Sequence, residues 1–207
     1  MKNSSRIVCL GDSITNGYDG FQDLIGHSYP DYLQQLLHTP VLNLGYNGAY
    51  LANDSTPGDL TKVVYQTDFS QFSLATIAYG TNDYGHSRNS LTTIATTLQT
   101  NLTAIKDNHH TIKILGILPL TRYDYEQNAD NLPGMAGYTI NELRNTLATI
   151  YQQNDATVLD WRVSAPTLIT DTNHYERFHD HRLHPSAATY QKMGTIIANY
   201  IKEKNLL

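Results

Sequence analysis

The chain has 207 residues, 40% of them apolar and only 16% charged, with a formal net charge of -5. That length suits one domain, 1–207, around one sizeable core. Without a Lys/Arg run there is no electrostatic footprint for nucleic acid, no stretch approaches the ~18 consecutive apolar residues of a membrane span, and the lone Cys9 rules out an internal disulfide.

Lys2 and Arg6 are followed by only a four-residue apolar run, Ile7–Leu10, too short for a secretory leader. A soluble, cytoplasmic chain is expected. From there, short apolar runs alternate with segments of helical period. Arg6–Leu10, Val41–Leu44, Ser73–Tyr79, Thr111–Leu118 and Thr157–Asp160 have strand length and carry Val, Ile or Leu at adjacent positions. Strands buried on both faces, as in a parallel sheet, look like this.

Helices are predicted between the runs. Tyr29–Leu37 has Pro30 in its first turn, and Leu60–Gln66 is short. Leu91–Lys106 places Leu91, Ile94, Leu98, Leu102 and Ile105 on one face. Thr139–Tyr151 opens on Thr139 with Glu142 three residues later, the pattern of a capping box. Pro185–Lys204 carries the stripe Tyr190, Met193, Ile196, Ile197 and Ile201. Strands alternating with helices predict an α/β three-layer sandwich with right-handed crossovers. The stretch Pro119–Tyr138 has no clear period. It is expected to be either the rim or lid of a site or a plain surface excursion.

In an open parallel α/β sheet, ligands bind outside the carboxyl ends of the strands. The first strand is followed by Gly11-Asp12-Ser13, the second by Asn43-Leu44-Gly45-Tyr46-Asn47-Gly48, and the third by Gly80-Thr81-Asn82-Asp83. Just before the last helix stand Asp180-His181-Arg182-Leu183-His184-Pro185. A hydroxyl, glycine amides, a carboxamide, an imidazole and a carboxylate thus collect at one edge. Acyl transfer needs such a set. A serine hydroxyl is a poor nucleophile until a base takes its proton, and histidine is suited to that role near neutral pH. The oxyanion formed on attack needs donors already in place, and a carboxylate orients the histidine.

These four blocks, in this order, resemble those of the SGNH hydrolase superfamily, the GDSL esterases and lipases. The resemblance spans nearly the whole chain. It implies a flavodoxin-like fold with a five-stranded parallel sheet in order 2-1-3-4-5. It also implies a serine esterase acting through an acyl-enzyme. Ser13 would be the nucleophile and His184 the base, while the Ser13 and Gly48 amides and the Asn82 side chain would form the oxyanion hole. The substrate would be a small-molecule ester, and no cofactor or metal is expected. One departure stands out. The family pattern puts the acid three residues before the histidine, whereas Asp180 is four before His184. Either the turn is one residue longer and Asp180 still reaches the imidazole, or a Ser–His dyad works with a backbone carbonyl.

Other readings of the same residues stay open. Ser13 taken alone could simply cap a helix, and Asp12 reads as a structural acceptor in the turn. Asp83 reads as a brace for the loop that aims Asn82. His179, His181 and His184 suggest a metal site, but no CxxC or HExxH pattern completes one and His184 already has a role. Tyr46, Tyr79 and Tyr84 fall in the loops of the site and are expected to contact substrate, a lining suited to a short acyl group or a sugar-like alcohol. The altered acid position leaves room for a retired scaffold that only binds carbohydrate or lipid. An O-acetyl-carbohydrate deacetylase is a narrower enzymatic alternative.

Overall fold

A computed structural model describes residues 6–207. Five parallel strands form one sheet: β1 (Ile7–Gly11), β2 (Val41–Gly45), β3 (Leu74–Ala78), β4 (Lys113–Ile117) and, after a hairpin of β5 (Tyr123–Asp124) and β6 (Gln127–Asn128), β7 (Thr157–Leu159). Their order is β2-β1-β3-β4-β7. Numbered by sheet strands alone, this is the expected 2-1-3-4-5. The chain reverses its direction of winding between β1 and β3, which opens a crevice at their carboxyl ends.

Each layer follows from the sequence. Along β1, Ile7 and Cys9 face one side and Val8 and Leu10 the other, and all four are fully buried. Burial pushes the Cys9 thiol up to about 12, so it packs as a small apolar group. Helices α3 (Leu60–Gln66), α5 (Leu91–Asn108) and α6 (Ile140–Gln153) cover the Val8 face, with Ile94, Leu98, Leu102, Leu143 and Leu147 buried in it. Helices α2 (Tyr29–Leu37) and α9 (Ala187–Glu203) cover the other with Tyr29, Leu33, Tyr190, Met193 and Ile197. Two capping boxes fix helix starts, Ser28 with Asp31 on α2 and Thr139 with Glu142 on α6. Short helices α1 (Ser13–Asn16), α4 (Thr81–His86), α7 (Trp161–Ser164) and α8 (His174–Arg177) complete the set, all within stretches where no helical period is readable in the sequence.

The stretch Pro119–Tyr138 is not structureless. It contains the β5–β6 hairpin and is pinned by two buried arginines. Arg144 Nε donates to the Pro119 carbonyl at 2.8 Å and pairs with Asp130, while Arg122 pairs with Asp124 within the hairpin. Charge pairing inside the fold, invisible to hydrophobic periodicity, orders this segment.

Gly45 ends β2 where the chain passes closest to α1. A Cβ there would lie 2.2 Å from the Asn16 amide nitrogen and 2.5 Å from the Thr15 carbonyl carbon. These are backbone atoms that no rotamer change can move. Gly45→Ala is therefore expected to cost about 1–3 kcal/mol of stability, read as a lowered urea midpoint with an unchanged m-value.

Candidate active site

Ser13 is the first residue of α1, immediately beyond β1. The cap is Asp12, not Ser13. Its Oδ1 accepts from the Ile14 amide at 2.9 Å. The Ser13 hydroxyl is thereby free of capping duty, and the Ser13 amide is one of the donors a helix start leaves unused. The side chain is nearly buried, at 5% exposure. Its Oγ lies 3.0 Å from His184 Nε2, across 171 residues of sequence.

His184 Nδ1 lies 2.7 Å from Asp180 Oδ2. The other oxygen, Oδ1, accepts from the amides of Arg182, Leu183 and His184 at 2.9, 2.8 and 3.0 Å. Burial raises the Asp180 carboxyl, but the bond from His184 and the three amides outweigh it and hold it at about 2. Asp180 is thus an ionised, acceptor-only group at neutral pH. Nδ1 therefore carries a proton toward Asp180, and in the neutral imidazole this leaves Nε2 to accept from the Ser13 hydroxyl. The extra residue between acid and base is absorbed by His181, whose φ of 59° is left-handed. Of the two arrangements the sequence allows, the longer turn is the one observed. The Tyr18 ring meets His184 edge-on at 5.0 Å, and the Tyr190 hydroxyl anchors the Tyr18 carbonyl at 2.7 Å.

The other two predicted donors, Gly48 and Asn82, stand on two further loops. Tyr46–Ala49 is a turn closed by the Ala49 amide on the Tyr46 carbonyl at 3.1 Å. Gly48 takes its third position with φ of +77°, a conformation that favours glycine. Asn82 stands in the first turn of α4, and its Nδ2 donates to the Ala49 carbonyl at 2.8 Å, leaving its second N–H unspent. Asp83 fastens the same loops together. Its fully buried carboxylate accepts from the Leu51 and Ala52 amides at 2.8 and 2.9 Å. Asn43 ties β2 to α1 through its Nδ2 on the Thr15 carbonyl at 2.9 Å. Burial pushes the Asp12 and Asp83 carboxyls up, to about 7 and about 6, despite their amide partners.

The predicted tyrosines separate. Tyr46 is exposed beside the Gly48 turn. Tyr79 is not on the rim: at 2% exposure it is a core residue, with its hydroxyl donating to the Gly58 carbonyl, so it offers a substrate no face. Tyr84 is equally buried, sits under the Arg122 guanidinium and donates to the Leu132 carbonyl. The three neighbouring histidines also part company. His179 pairs with Asp19 at 2.8 Å and His181 contacts the Tyr175 carbonyl, while His184 faces Ser13. Among the described residues no cluster of His, Cys, Asp or Glu could hold a metal. Sequence reasoning missed Arg122, whose Nη1 donates to the Thr81 carbonyl at 3.1 Å just before Asn82. A lone arginine in an unpatterned stretch gives no signal.

The model of the GDSL-like lipase/acylhydrolase family matches residues 9–192. The chain belongs to that family. The comparison with curated proteins finds no match. Among solved structures, a Lactobacillus plantarum protein is 19% identical with a TM-score of 0.77, covering 96% of this chain and 97% of its own. The Mycobacterium smegmatis aryl esterase in its inhibitor-bound form is 19% identical with a TM-score of 0.73, covering 98% and 100%. A family two carbohydrate esterase from Clostridium thermocellum, solved with cellohexaose, is 19% identical with a TM-score of 0.68, covering 98% of this chain and 65% of that one. The chain shares their fold.

The depressed Asp180 carboxyl has a thermodynamic consequence. Its folded value lies below the unfolded one, so its stabilisation is present above pH ~4 and is lost as pH falls toward 2. Asp180→Asn is expected to lose about 1 kcal/mol at pH 7 relative to the parent, the full shift being reduced by solvent screening of this partly exposed pair. The difference should shrink as pH falls from ~4 and vanish only below pH ~2, as read from urea unfolding at each pH.

Proposed function

We propose that this protein is a serine esterase that hydrolyses carboxylic esters of short acyl chains through an acyl-enzyme. The observation that carries the reading is the unbroken relay from Ser13 Oγ to His184 Nε2 at 3.0 Å and from Nδ1 to Asp180 at 2.7 Å. In this mechanism Ser13 Oγ attacks the ester carbonyl carbon as its proton passes to Nε2. Asp180 stabilises the imidazolium without taking its proton. Negative charge develops on the carbonyl oxygen within reach of the Ser13 and Gly48 amides and the free N–H of Asn82. The tetrahedral intermediate collapses, the alcohol leaves with the proton from His184, and an acyl-Ser13 ester remains. Water then attacks this ester with His184 again as base, releasing the acid and restoring Ser13.

The preference for short acyl groups rests on the space behind the nucleophile. The cavity beside Asp12, Ile14, Tyr29 and Thr81 holds about 20 Å³, room for about one water molecule. A long acyl chain would not fit that cavity. Tyr46 on the open side suits a flat or sugar-like alcohol. An O-acetyl sugar therefore fits the same reading, and the carbohydrate-esterase neighbour makes it the natural second substrate to try.

Three variants test the reaction. Ser13→Ala is expected to reduce turnover of a short-chain nitrophenyl ester to background while leaving the far-UV circular dichroism unchanged. Asn82→Ala should lower kcat by about 10²–10³ with a smaller effect on KM. Stoichiometric labelling of Ser13 by a fluorophosphonate, lost in His184→Ala, is expected of an activated serine. Failure of the parent protein to label would instead favour a scaffold that only binds.

A further inference from the structure

A cleft of about 740 Å³ opens beside α4. Tyr84 and His86 line it from the helix, Arg122, Asp124 and Tyr125 from the β5 side, and Arg182 from the turn before His184. It therefore lies between the helix that presents Asn82 and the loop that presents the base.

The charge of this cleft does not balance. Arg122 is fully buried, and its Nη2 donates to Asp124 Oδ1 at 2.7 Å. Arg182 places Nε and Nη2 on that same oxygen, at 2.8 and 2.7 Å. Two guanidiniums share one carboxylate, which leaves one positive charge in excess. Donors remain unspent as well. The buried Arg122 Nε has no hydrogen-bond partner among the described residues, an arrangement that native interiors rarely tolerate. The field reaches the third basic group. Burial, then Arg122 and Arg182, push the His86 imidazole below its ordinary value, against the opposing pull of Asp124. His86 is thus a neutral hydrogen-bonding group at pH 7 in a positive surrounding.

We propose that this cleft is a subsite for a carboxylate carried by the ester substrate, bound by Arg182 at the rim with Arg122 behind it and His86 alongside. One net positive charge matches a monoanion, and a guanidinium fork matches the planar carboxylate. The nearly fully exposed Tyr125 ring stands at the mouth, where it covers the chain linking carboxylate to ester. The inference rests on the esterase reading, since it assigns a group of that reaction's substrate.

Arg182 also touches the loop of His184, so a bare loss of activity in a variant would not discriminate. Selectivity does, because a misplaced base slows charged and neutral esters alike. Two matched pairs serve. Mono-4-nitrophenyl glutarate against 4-nitrophenyl valerate puts the carboxylate on the acyl side, and 4-carboxyphenyl butyrate against phenyl butyrate puts it on the alcohol side. In one pair the parent protein is expected to favour the charged ester through a lower KM. Arg182→Gln should reduce that charged-to-neutral ratio about five- to tenfold, and added salt should reduce it in the parent. Intrinsic reactivities cancel between parent and variant. Calorimetric titration of Ser13→Ala with the same esters should show the charged member binding about five- to tenfold tighter. A ratio unchanged by Arg182→Gln in both pairs, or equal binding of both members to Ser13→Ala, overturns the subsite. Tighter binding of the charged ester with no turnover of any ester by the parent would instead retain the subsite and overturn the esterase reading.

Discussion

Everything at this site depends on a hydrogen bond between groups 171 residues apart, Ser13 Oγ and His184 Nε2. Such a bond contributes only about 1 kcal/mol net, too little to pull two ends of a chain together. The fold must place them. Ser13 is fixed by β1, the strand buried on both faces and paired with β2 and β3 in register. His184 is fixed by the start of α9, whose close approach to α2 is permitted by Gly194, where a Cβ would meet Tyr32 Cβ at 2.4 Å. The hydrophobic layers thus supply the free energy, and the hydrogen bond reports how well they align.

The donors are mounted just as rigidly. Asp83 binds the amides of Leu51 and Ala52 while Asn82 binds the Ala49 carbonyl, so the Gly48 turn and α4 form one piece. Asp12 caps α1 through the Ile14 amide. Burying these two carboxyls is unfavourable, as their raised values show. In the proposed mechanism that cost secures donors that do not have to reorganise as charge develops on a substrate oxygen.

The sequence made the layers legible because hydrophobic periodicity encodes burial directly. Strand and helix limits fell within a residue or two of those observed, and Thr139–Glu142 announced its capping box. The strand-end motifs also brought Ser13, Gly48, Asn82 and His184 to notice, since glycine and polar residues after apolar runs mark the crevice of such a sheet. Other features escaped for physical reasons. Tyr79 has the same composition signal whether its ring faces solvent or core, and only the pleat decides. The Arg122–Asp124–Arg182 chain joins residues 58 apart through charge, which leaves no period to read. Asp180 was ambiguous because spacing along a chain does not give distance across a turn.

The lengthened turn between acid and base bears on how such chains diverge. His181 bulges outward in a left-handed conformation, and the carboxylate of Asp180 still reaches both the imidazole and three amides. The acid is gripped by the local coil of main chain rather than by a fixed count of residues. A lineage can gain a residue in this coil without losing the grip. Searches for remote kin that demand a rigid interval between acid and base will then discard sequences whose three-dimensional arrangement is intact.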